Sequence, residues 1–298
     1  MVLSTHHIIR TLNCPVHEEN LRKIQYLPKD ASYGITKFSD MTDEEFKAKY
    51  LSDYHSKSWQ YQKYRNGTKL GSFPEKMKQM KIPQKYDWRN INNQSFVSPI
   101  KNQENCGGCW AFCTVETLES VSGYKRKTKP PVLSVQQVID CANNNYGCEG
   151  GDICTAVDWM EKSSVHILTE EQYPLTLKSG SCRIPSQNKG VQVSSYTCEN
   201  LTGKESTVLD HLYNIGPVSV AVDATTWKNY MGGIIKWHCG TDRNHAVQII
   251  GYDISGDVPY YIVRNSWGQD FGVDGYLYIK VGDNLCGIAA EVTTIQVV

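Results

Sequence analysis

Gln103-Glu104-Asn105-Cys106-Gly107-Gly108-Cys109-Trp110-Ala111-Phe112 is the stretch from which the rest of the chain can be read. After Cys109 the residues Trp110, Phe112, Val115, Leu118, Val121 and Ser122 recur at roughly helical spacing, which puts Cys109 at a helix N-terminus. The positive end of a helix favours an anion, and the anion a cysteine supplies is its thiolate. A free thiol is mostly protonated at neutral pH, so it needs a base. Far downstream stand Asn244-His245-Ala246 and Asn265-Ser266-Trp267-Gly268. An imidazole there could take the thiol proton and give a thiolate–imidazolium pair.

Working outward, the pattern from Cys109 to about Lys162 is mostly helical. Ser134 can N-cap Val135–Ala142, and Asp152 can open a helix over Ala156–Lys162. From Val191 onward strand patterns dominate: Val218–Val222, Ala246–Ile250, Tyr260–Arg264 and Tyr276–Lys280, with glycines between them. A helical half followed by an antiparallel β half is an α+β arrangement. The cysteine comes from the first half and His245 from the second, so the site is expected in a cleft between them.

Cys106-Gly107-Gly108-Cys109 is also a Cys-x-x-Cys pair, the spacing of a dithiol oxidoreductase. The downstream His and Asn segments, and the lack of a compact βαβ pattern, argue against that reading. No Cys pair and His pair recur at zinc-finger spacing, so no metal and no cofactor is expected. His6, His7, His17, His55, His166, His211 and His238 are read as structural. The 298 residues carry 31 basic and 31 acidic side chains, for a net charge of zero. No basic stripe points to nucleic acid and no run of about 18 apolar residues points to a membrane span.

Eleven cysteines suit an oxidising compartment. The sequons at Asn66, Asn93 and Asn200 agree with glycosylation there. Met1–Asn20 has no sustained apolar stretch of signal-peptide type. The cysteines and sequons carry the expectation of a lysosomal or secreted protein.

With Gln103, Cys109, His245 and Asn265 in this order, the chain resembles the papain-family cysteine proteases from about Ile82 to the C-terminus. The family's usual Cys-Gly-Ser/Ala-Cys-Trp has Gly108 at its third position here. The resemblance implies a two-domain fold, with a helical left domain and an antiparallel, β-barrel-like right domain. It implies catalysis by Cys109 and His245, with Asn265 orienting the imidazole and Trp267 sheltering that hydrogen bond. Gln103 and the Cys109 N–H would hold the oxyanion. Gly107, Gly150, Gly151 and Trp267 would line the cleft. Asp152, Ile153, Ala221, Ala246 and Glu291 would form the pocket for the second residue before the cut. A Glu at the last position implies tolerance of Arg or Lys as well as apolar groups, unless Arg243 neutralises it. Disulfides are implied for Cys106–Cys148, Cys141–Cys182 and Cys239–Cys286. Cys109 must stay free. Of the others, Cys113 and Cys154 either pair with each other or remain buried thiols; Cys14 and Cys198 have no evident partner.

The segment before about residue 81 is rich in Lys, Tyr, Ser and Asp. Gly34-Ile35-Thr36-Lys37-Phe38-Ser39-Asp40 resembles the family's inhibitory Gly-x-Asn-x-Phe-x-Asp motif, with Thr36 in place of Asn. Thr42 and Glu45 make a capping box. A longer family helix would survive only around Glu18–Leu27. Residues 1–80 are therefore expected to be a propeptide and linker, with 81–298 the mature peptidase (about 81–190 helical, about 191–298 mainly β). Carboxylates in pairing contacts would release the segment on acidification. The implied partners are protein and peptide substrates, the propeptide as inhibitor, and cystatin-like inhibitors, acting on a monomer. A catalytically silent homologue serving as a binding protein is the alternative.

Overall fold

The computed structural model describes residues 15–27, 29–52, 81–184 and 189–298. The opening segment forms α1 (Pro15–Gln25), β1 (Ala31–Tyr33) and α2 (Asp43–Tyr50). The expected capping box starts α2: Glu45 N–H donates to the Thr42 hydroxyl and Thr42 N–H to the Glu45 carboxylate. After β2 (Lys85–Asp87) come α3 (Cys109–Arg126), α4 (Val135–Cys141) and α5 (Ile153–Lys162). Ser134 and Asp152 cap α4 and α5 through their side chains. α5 thus begins three residues before the expected start, because Asp152 satisfies Thr155 N–H.

The remaining elements are β3 (His166–Ile167), β4 (Val191–Glu199), α6 (Glu205–Asn214), β5 (Val218–Val222), β6 (Tyr230–Ile235), β7 (His245–Asp253), β8 (Tyr260–Arg264), β9 (Tyr276–Lys280) and β10 (Val292–Val297). The strands form one open sheet in the order β1-β6-β9-β8-β7-β5-β10-β4-β3, with β2 beside β7. The β half is not wholly antiparallel, since β6 runs parallel to β9. α6 is a helix that the strand-rich reading of this half passed over; it buries Val208, Leu209 and Leu212.

α3 is buried on nearly all sides, from Cys109 through Gly123. Its apolar residues share a core with α4, α5 and β4 that also takes in Ala221 and Ala246. The β half has its own core, and Phe38 and Phe46 of the opening segment are part of it. The polar faces of α3 meet buried charge. Glu116 pairs with Arg264 at 3.2 Å and Glu119 with Lys101 at 3.2 Å. The Glu116–Arg264 pair ties the helix that starts with Cys109 to the strand that ends just before Asn265.

Candidate active site

Cys109 is the first residue of α3 and is fully buried. Its thiol lies 3.6 Å from the Ser52 hydroxyl and faces the Ala246 and Trp110 backbone N–H groups. Burial pushes this thiol up from its ordinary pKa, against the opposing pull of Ser52 and those N–H groups. The helix N-terminus favours a thiolate, but here desolvation outweighs it.

His245 is the first residue of β7 and is fully buried as well. Its Nε2 lies 2.8 Å from Asn265 Oδ1. Oδ1 also accepts from Ser266 N–H, so it acts as an acceptor and Nε2 carries the proton. Nδ1 then presents its lone pair, and it has no hydrogen-bond partner among the described residues. Burial lowers the imidazole pKa to about 4, with the Asn265 hydrogen bond only partly opposing it. In this state the thiol and the imidazole are both neutral over the mildly acid and neutral range. The Trp267 ring lies against the imidazole at 4.7 Å and 31° and keeps water from the Asn265 contact.

Gln103 is held on three sides. Its backbone N–H donates to Ser266 O, its Oε1 accepts from the Ser266 hydroxyl at 2.6 Å, and its Nε2 donates to Cys106 O at 3.1 Å. An amide nitrogen has two protons, so one remains for another acceptor. The glycines nearby are demanded by packing. A Cβ on Gly107 would lie 2.5 Å from Cys148 O, and one on Gly151 would lie 2.6 Å from the Trp110 ring. At Gly108 a Cβ would come within 3.1 Å of both Cys106 Sγ and Ile139 Cδ1, so Ile139 uses the space that a larger third motif residue would need.

The residues expected to form the pocket also lie near one another. Ala221 pairs with Ala246 across β5 and β7, and Ala221 N–H donates to Glu291 O. Ile153 shares the core of those alanines. Donor atoms of Asp152, Cys154 and Glu291 lie within 4.8 Å of one another. Cys154 is committed to a disulfide, so this trio is not a three-ligand metal site. The Glu291 carboxylate is buried and ion-paired with Arg243, the neutralisation that the sequence left open.

Three disulfides join Cys106–Cys148, Cys141–Cys182 and Cys239–Cys286. The fourth corrects the expectation for Cys113 and Cys154: Cys154 bonds to Cys198. The cause is direction. Cys154, on the second residue of α5, faces β4, and both its sulfur and that of Cys198 contact the Thr293 hydroxyl. Cys113 points along α3, with its thiol 3.4 Å from Trp110 O, and is a buried free thiol. Cys14, Asn66, His6, His7 and His55 lie outside the described residues. Asn93 and Asn200 are exposed. His211 pairs with Glu199, and His238 stands edge-on to Tyr33.

The opening segment covers this site. Phe38, Phe46 and Tyr50 pack on Trp267 at 5.6, 5.3 and 6.0 Å. Ser52 N–H donates to Asn244 O at 2.9 Å, which brings the Ser52 hydroxyl over Cys109. Thr36 accounts for its own presence: its hydroxyl donates to Lys228 O at 2.7 Å and its N–H to Ser39 Oγ at 2.9 Å. Lys37 reaches Asp270 and Trp267 O. Lys228, itself buried, bonds Asn20 Oδ1, Met41 O and Asp43 Oδ1 at 2.9, 3.1 and 2.6 Å. The motif's Asp40 is exposed; the carboxylates that dock the segment are Asp30 and Asp43. Sequence reading missed Asp30, Lys228 and Ser52. They make long-range contacts that leave no local signature, although the position of Ser52 just after α2 could have drawn attention.

A fold of this kind, with a cysteine at a buried helix start whose thiol meets the backbone next to His245, itself held by Asn265, is that of a thiol peptidase. The chain belongs to the papain family: the model described as Papain family cysteine protease matches residues 82–296. It is therefore a papain-like peptidase, a hydrolase. Cathepsin O of Homo sapiens is 41% identical over 289 residues, covering 94% of this chain and 86% of that protein. The digestive procathepsin L2 proteinase of Tenebrio molitor larval midgut superposes with a TM-score of 0.80 at 29% identity, over 99% of this chain and 95% of the other. The bromelain protease of Ananas comosus, solved with the E64 inhibitor, gives 0.63 at 33% identity, over 72% of this chain and 99% of the other.

Proposed function

We propose that this chain is the zymogen of a cysteine endopeptidase, in which residues 1–80 are an inhibitory propeptide and 81–298 the mature enzyme. The observation that carries the proposal is the contact of Ser52 with Cys109, made from a segment that also packs on Trp267. The likeness to a procathepsin over nearly the whole chain supports it. A lysosomal or secreted site of action is part of the same proposal, supported by the four disulfides.

Once the segment leaves, water and substrate enter the cleft and the desolvation of Cys109 and His245 is relieved. The thiol proton passes to Nδ1 of His245, and Asn265 holds the imidazolium through Nε2–H. Cys109 Sγ attacks the scissile carbonyl carbon, forming the C–S bond and placing the electron pair on oxygen. The second Nε2 proton of Gln103 and the Cys109 N–H stabilise that oxyanion. Collapse breaks the C–N bond while His245 gives its proton to the leaving amine. Water, deprotonated by His245, then attacks the acyl-enzyme and releases the acid and the free thiol.

Intact mass before and after acidification, with an epoxysuccinyl inhibitor present, tests this. One adduct on the Cys109 peptide with loss of mass up to about residue 80 is expected. An intact chain with no adduct at any pH leaves two readings, a silent binding homologue or a propeptide that another protease must remove; no adduct even after pepsin has shortened the chain would establish the silent homologue.

A further inference from the structure

Asp30 stands apart from the contacts that close the cleft. One of its carboxylate oxygens, Oδ2, accepts from three successive backbone N–H groups, those of Lys236, Trp237 and His238, at 2.8, 3.2 and 3.3 Å. The other oxygen accepts from the Tyr33 hydroxyl at 3.1 Å. Three amides converging on one oxygen form an anion cradle built entirely from main chain. The cradle belongs to the peptidase domain; the carboxylate that fills it belongs to the segment that is removed in the zymogen reading.

The residues beside the cradle complete a peptide site. β1 adds to the outer edge of β6, pairing Ala31 with Gly233, Ser32 with Gly232 and Tyr33 with Tyr230. β1 is the end strand of the sheet, so without it β6 presents an open edge. A Cβ on Gly233 would meet Ala31 Cα at 3.3 Å and Ser32 N at 3.4 Å, and its φ is +77°; glycine here lets a second backbone lie close. The Tyr33 ring stands edge-on to Tyr230 at 6.5 Å and to His238 at 5.8 Å, so an aromatic three residues after the acid has its own seat. Trp237 is 59% exposed and lies near the Lys236 ammonium. Lys228, just before the other end of β6, also takes partners from the opening segment, Asp43 among them. Losing the segment leaves an unpaired strand edge and a carboxylate cradle, with a lysine just beyond each end of the strand.

We infer that in the processed enzyme the edge of β6 and the amide cradle of residues 236–238 form an exosite for an extended acidic segment of the pattern Asp-x-x-aromatic in protein substrates. Strand addition supplies main-chain hydrogen bonds, the cradle reads the carboxylate, and Tyr230 with His238 reads the ring. This inference rests on the zymogen reading above.

The test uses enzyme shortened at low pH, with added pepsin where the chain does not process itself, and capped at Cys109 with an epoxysuccinyl inhibitor. A fluorescein-labelled peptide of residues 29–36 is titrated by anisotropy. Saturable binding is expected, weakened at least tenfold by Asp30→Asn or Tyr33→Ala in the peptide and by Trp237→Pro in the enzyme, which deletes one cradle N–H. The uncut chain, whose edge is already filled, should not bind. Binding that ignores Asp30→Asn, equal binding to the uncut chain, or no binding to the capped enzyme would overturn the exosite. Capping is read separately by mass, so a capped enzyme that fails to bind leaves the protease reading intact.

Discussion

Glu116 offers the most demanding test of the buried charge beneath the site. It lies two turns after Cys109 on α3 and is fully buried, with Arg264 at 3.2 Å. Burial raises its pKa to about 7; Arg264 and Lys101 oppose the shift, and Glu119 adds to it. The folded protein therefore holds a proton on Glu116 that the unfolded chain, titrating near 4.5, releases. Between those values folding takes up protons, so this group's contribution to stability is intact below about pH 4.5 and is lost as pH rises toward 7. A shift of that size corresponds to about 3 kcal/mol. Gln mimics the protonated carboxyl and cannot titrate. His245 titrates in the same range with the opposite sense: its depressed pKa costs stability as pH falls from 6.5 toward about 4. The difference between Glu116→Gln and the parent, both carrying Cys109→Ser to prevent self-cleavage, cancels that term. Urea unfolding followed by tryptophan fluorescence should give curves within about 1 kcal/mol at pH 4.5, with the variant about 3 kcal/mol more stable at pH 7.5. A difference that stays constant with pH would refute the buried, proton-holding Glu116; a variant that becomes relatively less stable at pH 7.5 would show that the ion pair with Arg264 outweighs desolvation.

Other outcomes follow from named contacts. Burial alone would raise the Asp43 carboxyl, but Lys228 and Lys23 outweigh it and hold it below the usual carboxylate range. Its docking contribution is present above about pH 4 and fades only as pH falls through the lowered value. Asp43→Asn should therefore let processing, followed by gel, begin at a higher pH; an unchanged onset would remove Asp43 from the latch. Cutting the Cys154–Cys198 bond by a double Ser substitution frees a loop with a sequence separation of 44 and should lower stability by about 3–4 kcal/mol, read from the urea midpoint. Arg243→Ala removes a cation from Glu291, and the preference for Arg over Leu as the second residue before the cut should rise about tenfold in kcat/KM. Glu291→Gln should lower it, and no change in either variant would mean that the pocket does not read charge.

The family and the main elements were legible because each has a local or periodic signature, and the Cys, His, Asn and Gln proposed as the catalytic set were named by the same motifs. Helical spacing after Cys109 predicted α3, runs rich in β-branched and aromatic residues predicted β5, β7, β8 and β9, and Ser134 and Asp152 announced their helices. The family resemblance supplied three disulfides. What escaped depended on directions that only the folded backbone sets. Cys154 faces β4 and not α3, which decides its partner, and nothing in the spacing of Cys113, Cys154 and Cys198 encodes that. α6 was passed over because Val208, Leu209 and Leu212 form a short apolar group inside a region dense in strands. Asp30 looks like one more exposed acid in a polar segment; its meaning depends on three amides some two hundred residues away.

In the zymogen reading, the covered site would let inhibition and latent reactivity coexist in one fold. Among the described residues the proposed catalytic contacts are in place: Asn265 holds His245, Trp267 lies against the imidazole, and Ser266 fixes Gln103. What differs is solvation. With Phe38, Phe46 and Tyr50 packed on Trp267, burial raises the Cys109 pKa against the opposing pull of Ser52 and lowers that of His245, and both shifts favour the neutral pair. An ion pair needs water or a preorganised polar field to compensate for two desolvated charges, and the covered cleft supplies too little of either. In the zymogen reading the segment therefore acts twice: it fills the cleft, and it withholds the dielectric that the nucleophile requires. A covered Cys109 should then resist even a small alkylating agent such as iodoacetamide at pH 6, and react rapidly once Ser52 and the aromatic cap are gone.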